Sequence, residues 1–160
     1  MKVDADMRST YYGQKLGLVA GDNEGLIVSA EINGILEHGN RYLGGVTGYN
    51  TGTIDSCVSH GSIYSMNENS AGLVGYNSGT IKNSSVDADT VFGEYRGAAG
   101  FVGTNDTTGV IENGFAKTNV HSDSSSGFVV HNAGIIKNSR MKAGIAEILT
   151  ACELLLASGK

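Results

Sequence analysis

The sequence predicts an all-β fold: a right-handed parallel β-helix of about five 27-residue coils, closed at its C-terminal end by an α-helix. Three observations predict it. Similar segments recur at a nearly constant spacing, isoleucine returns at one place in each, and glycines interrupt the chain too often for helices. The segments are "GVTGYNTGTIDS" from Gly45, "GLVGYNSGTIKN" from Gly72, "GFVGTNDTTGVIEN" from Gly100 and "GFVVHNAGIIKN" from Gly127. A fifth, "GLVAGDNEGLIVS" from Gly17, matches if one extra residue is allowed before its asparagine. The asparagines Asn23, Asn50, Asn77, Asn105 and Asn132 lie 27, 27, 28 and 27 residues apart. Repeats of this length build solenoids or propellers, and a propeller blade needs about 40–45 residues.

Each repeat reads in the same order. A short apolar strand comes first, then an N-x-G turn, then a second strand beginning with isoleucine. A variable third stretch follows, holding Ile35, Ile63, Val91 or Val120. Stacked coils turn these positions into columns about 4.8 Å apart. Ile27, Ile54, Ile81, Ile111 and Ile136 form the main aliphatic column. Val19, Val46, Leu73, Phe101 and Phe128 form a second, followed by Ala20, Thr47, Val74, Val102 and Val129. Strand alternation lets only one of these last two columns face the core. Gly25, Gly52, Gly79, Gly109 and Gly134 are read as supplying the turn conformation, and "NDTTG" should bulge outward.

The asparagine column is read as structural. Asparagine tolerates left-handed backbone angles at a corner. Stacked amides can also hydrogen-bond from coil to coil. Ser29, Ser56, Asn83, Asn113 and Asn138 form a second polar column with the same role. Sequons occur at Asn83 and Asn105, as they do freely in a Ser/Thr/Asn-rich chain.

The G-[LF]-V-G-x-N-x-G-x-I pattern, clearest at Gly72, Leu73, Gly75, Asn77, Gly79 and Ile81, resembles the GLUG repeat. The resemblance covers about residues 16–141. Such repeats occur in bacterial surface and secreted proteins, including non-catalytic regions of IgA-cleaving metallopeptidases and adhesins. The resemblance implies a β-helical stalk or binding module and implies no catalysis in the repeats. Departures are the extra residue near Ala20, Val130 in place of the second glycine, and the "NDTTG" insertion.

The tail breaks the period. Ile145, Ile148, Leu149, Cys152, Leu155 and Leu156 fall at helical spacing, which predicts an amphipathic helix. The expected organisation is therefore a β-helix over 1–141 and a capping helix over 142–160, replacing the third strand of the last coil. An uncovered solenoid end exposes unpaired strand edges, so self-association through the ends or the helix is a further expectation.

Composition narrows the function. With 17% charged and 40% hydrophobic residues, the 160-residue chain is not disordered by charge. A net charge of −5 leaves no basic footprint for nucleic acid. No apolar run is long enough to insert in a membrane, and "MKVDADMRST" has no signal-peptide core. Cys57 and Cys152 suit neither a disulfide framework nor a zinc site. His38, His60, His121 and His131 lack metal-ligand spacing, so no metal, cofactor or catalytic residue is assigned. Val28, Asp55, Lys82, Glu112 and Lys137 form an outward row of alternating charge. Its carboxylates Asp55 and Glu112 are the best acid–base pair for a polysaccharide-processing enzyme, but Lys82 between them would keep both ionised. The exposed column Asp22, Tyr49, Tyr76, Thr104, His131 makes Tyr49, Tyr76 and His131 the candidate surface for a glycan or a host protein. The expected function is a non-enzymatic spacer or adhesin-type segment of a larger extracellular or cell-surface protein. The alternative is a polysaccharide-processing enzyme or carbohydrate-binding module.

Overall fold

The computed structural model describes residues 1–8, 14–38, 41–66, 68–94 and 96–143. Among them, regular structure is all β. The strands pair only in parallel and form four sheets, giving a β-solenoid of about five turns. The third coil shows the plan. Glu68–Ala71 lies in the first sheet, Val74–Asn77 in the second, Thr80–Lys82 in the third and Ser85–Gly93 in the fourth. The first three sheets have five strands each and the fourth has nine. Two N-terminal strands, Lys2–Asp4 and Met7–Arg8, extend the fourth sheet by pairing with Glu31–Asn33 and Ile35–His38 of the first coil.

Three strands per coil was one too few. The strand missed is the one in the first sheet, whose outward positions (Lys15, Tyr42, Asn69, Gly97 and Ser124) share no residue type. Nor does the first coil carry an extra residue. Gly17 pairs with Gly44 and Ala20 with Thr47, so Leu18 simply stands where later coils have glycine.

Ile27, Ile54, Ile81, Ile111 and Ile136 pair in register along the third sheet. Ile54, Ile81 and Ile111 are fully buried, whereas Ile136, on the last coil, is 38% exposed. In the fourth sheet Ile63 pairs with Leu36, not with Ile35, and Leu36 takes the core position. The two adjacent apolar columns both face inward: Val46, Leu73 and Phe101 are buried, and so are Thr47, Val74 and Val102. Alternation holds only within one strand. Leu73 sits on the bend between two strands and Val74 begins the next, so the corner aims both at the core. Phe101 and Phe128 continue this column as stacked rings, 4.7 Å apart and 6° from parallel.

The turn chemistry is distributed otherwise than the N-x-G pattern suggests. All five residues of the second polar column, Ser29, Ser56, Asn83, Asn113 and Asn138, have positive φ, at 52, 55, 51, 52 and 47°; the others among the described residues are Asn69, Gly34 and Gly97. The anchoring asparagines do not share this conformation, and neither do the turn glycines. Gly79 is required for space. A Cβ there would overlap the carbonyl oxygen of Gly52 in the coil below.

Gly75, the second glycine of the motif, answers to a different contact. Its added Cβ would lie 2.8 Å from the Leu43 nitrogen, so it lets the second sheet lie against the backbone of the first. Val130 replaces this glycine in the last coil, and there the facing position is itself glycine. Gly97 has φ +65°, and a Cβ on it would stand 3.6 Å from Val130 Cγ1. The "NDTTG" insertion turns outward at exposed Thr107 and Thr108, closed by the Gly109 N–H donating to the Asp106 carbonyl at 2.8 Å.

The helix expected over 142–160 lies outside the described residues from 144 onward. Lys142 and Ala143 belong to the strand Arg140–Ala143, which pairs with Phe115–Thr118. The third stretch of the last coil therefore begins as strand.

Candidate functional site

The asparagine column runs along the inside of the turn. Asn23 Nδ2 donates to Asn50 Oδ1 at 2.7 Å, Asn50 to Asn77 at 2.7 Å, Asn77 to Asn105 at 2.8 Å and Asn105 to Asn132 at 2.8 Å. The second amide hydrogen of Asn50 and of Asn77 goes to the carbonyl of its own turn glycine, at 3.3 and 3.2 Å. Asn50, Asn77 and Asn105 are fully buried. A buried amide is tolerated only when its donors and acceptor are paired, and this column pairs them. The ladder therefore occupies the amide of the Asn105 sequon, while Asn83 is exposed.

Tyr49 and Tyr76 stack face to face outside the same strands, with centroids 4.5 Å apart and planes 4° from parallel. Tyr42, from the first sheet, packs edge-on against both, at 6.1 and 5.4 Å. Lys15 Nζ stands 4.2 Å over the Tyr49 ring and pairs with Asp22 at 2.5 Å. Tyr76 donates its hydroxyl to Asp106 Oδ2 at 2.6 Å. That carboxylate, helped by burial, raises the Tyr76 pKa far above the ordinary phenol value. The same bond, with the Thr107 backbone N–H, holds the Asp106 carboxyl below its ordinary range. His131 belongs to the column but lies on the last coil, beyond Thr104, and is exposed. The structure thus joins Tyr49 with Tyr76 and leaves His131 apart. The ring faces are turned toward one another and toward Lys15, so the cluster offers edges rather than an open platform. Tyr42 was not legible in the sequence, because the residue at its position varies from coil to coil.

The charged row is in register, Asp55 with Lys82, Lys82 with Glu112 and Glu112 with Lys137. Only Lys82–Asp55 closes, at 3.3 Å; neither neighbouring lysine forms an ion pair with Glu112. Hydrogen bonds from Asn83 and Ser56, then Lys82, hold the Asp55 carboxyl below its ordinary pKa. Asn113 Nδ2 donates to Asn83 Oδ1 at 2.9 Å and Asn83 Nδ2 to Asp55 Oδ1 at 3.0 Å, a second and exposed ladder. Cys57 is buried, and burial raises its thiol pKa. Among the described residues, no three His, Cys, Asp or Glu side chains gather as metal ligands, and no helix is long and apolar enough to cross a membrane.

Five stacked coils with inward isoleucine and asparagine columns define a structural repeat module of the β-solenoid class. The family model described as the GLUG motif matches residues 66–91, one of the five repeats, which is consistent with a GLUG-repeat region. Those residues run from just before the first-sheet strand of the third coil into its fourth-sheet strand. Neither a curated protein nor a solved structure matches the chain.

Proposed function

We propose that the chain is a non-enzymatic spacer segment of a larger bacterial surface or secreted protein, a stiff rod that sets the distance between what adjoins its ends. The observation that carries this reading is the unbroken amide ladder through all five coils, parallel to the isoleucine column. Each coil is held to the next by buried, directional bonds, which resists bending as well as unfolding. The carboxylate chemistry favours a scaffold over an enzyme. A general acid must keep its proton near neutral pH, whereas Asp55 is held ionised by Asn83, Ser56 and Lys82.

The test removes one coil. Deleting residues 51–77 joins Asn50 to Ser78 and preserves every column. Spin labels at Glu24 and Ala133, on the first and last coils, should move about 4.8 Å closer, one strand spacing. An unchanged or broadly smeared distance would refute the rod. Cleavage of a polysaccharide by the wild type, lost in Asp55→Asn, would favour the enzyme instead.

A further inference from the structure

Nine large apolar side chains are exposed among the described residues, and their placement is uneven. Met1, Leu26 and Val28 lie at the N-terminal end of the solenoid, and Ile135, Ile136 and Met141 on its last coil. Edge strands account for these six. The other three, Tyr64 (40% exposed), Met66 (58%) and Phe92 (40%), lie on the flank of the second and third coils, away from either end. Tyr64 pairs in register with Glu37 below and Phe92 above, and Phe92 with the exposed His121. Neither Tyr64 nor Phe92 contacts another ring among the described residues, unlike Tyr42, Tyr49, Tyr76, Phe101 and Phe128.

We propose that the stripe of Tyr64, Phe92 and His121, widened by Met66, binds an uncharged, extended β-linked glycan lying along the solenoid axis. The positions that carry these side chains rise by one strand spacing per coil, about 4.8 Å, so the stripe runs along the axis as an extended chain would. Apolar ring surface is what the C–H faces of pyranoses pack against, and tyrosine adds a hydroxyl for theirs. Two residues before each ring on the same strands stand Ser62, Thr90 and Asn119, half-buried, a parallel row of hydrogen-bonding groups. Arg8 pairs with Glu37 at 3.6 Å, so the lower end of the stripe carries no net charge to attract a polyanion. A stripe one ring wide is too narrow for a stable protein interface, which buries about 800 Å² per partner, but it fits a chain one sugar wide. The proposal stands apart from the spacer reading, since a rod can bind or not bind.

The full 160-residue chain is titrated with β-1,4-linked hexasaccharides of glucose and of N-acetylglucosamine, by calorimetry and by chemical-shift mapping. Saturable binding of at least one is expected, with shifts confined to residues 62–66, 90–94 and 119–121. Phe92→Ala and Tyr64→Ala should each weaken it about tenfold with melting temperatures little changed, since both side chains are exposed. Failure of both sugars to bind, shifts centred elsewhere, or affinity unaltered in both variants would each overturn the proposal. So would a dimer in sedimentation that Phe92→Ala dissolves, which would make the occupant a second copy.

Discussion

Asn77 shows why the most regular polar side chain of the repeat is inside the molecule. Its amide accepts from Asn50, donates to Asn105 and donates again to the Gly79 carbonyl. Truncation leaves two buried partners unpaired, the Asn50 donor and the Asn105 acceptor. Asn77→Ala should therefore cost roughly 2–6 kcal/mol in urea unfolding, at about 1–3 kcal/mol for each orphaned group. A loss below about 0.5 kcal/mol, the size of an ordinary surface substitution, would mean that the ladder carries no stability. The position of this residue was legible from its spacing, but its conformation was not. N-x-G suits a left-handed corner as well as an extended strand leading into a turn. The left-handed residue beyond the turn proved to be Asn83, six positions on.

A coil holds its shape at the corner where the first sheet meets the second. Gly75 leaves no room for a side chain, since its Cβ would stand 2.8 Å from both the Gly48 oxygen and the Leu43 nitrogen. Backbone atoms cannot swing aside as a side-chain tip can, so Gly75→Ala should destabilise by about 1–3 kcal/mol, as overpacking does. Chemical denaturation measures it, and an unchanged midpoint would show that the sheets separate freely. Val130, at the same position in the last coil, is tolerated because Gly97 faces it. The second strand, the turn and the third strand were legible because glycine, asparagine and isoleucine return there in nearly every coil. The first-sheet strand was not, because its outward face changes identity each time. The lateral aromatics escaped for the same reason: Glu37, Tyr64, Phe92 and His121 occupy one column in which no residue type recurs.

Along its length, the solenoid is also laced by carboxylates that reach from one coil to the next. Glu31 pairs with Lys2, Glu37 with Arg8, Asp55 with Lys82 and Asp87 with Lys117, while Asp106 accepts from Tyr76. Asp55 and Asp106 have folded pKa values below their ordinary 3.8. Depression of this kind adds stability that is complete above the unfolded pKa and is lost as pH falls through the folded one. The melting temperature should accordingly hold from neutral pH to about 5 and fall below about 4. Tyr76→Phe removes the hydroxyl that Asp106 accepts, and should lower the neutral-pH melting temperature while shrinking the acid-induced drop. An acid profile identical to that of the wild type would show that this bond contributes nothing.

Every amide in the asparagine column points the same way, its N–H toward the C-terminal coil. Five small dipoles therefore add head to tail, as peptide units do along a helix. The column has a negative pole at the Asn23 oxygen and a positive pole at the Asn132 amide. The two ends of the rod are thus not interchangeable. Whatever seats on the last coil is favoured if it brings an acceptor to Asn132, and whatever lies beneath the first is favoured if it brings a donor to Asn23, so the stack carries a polarity that a neighbouring segment must match.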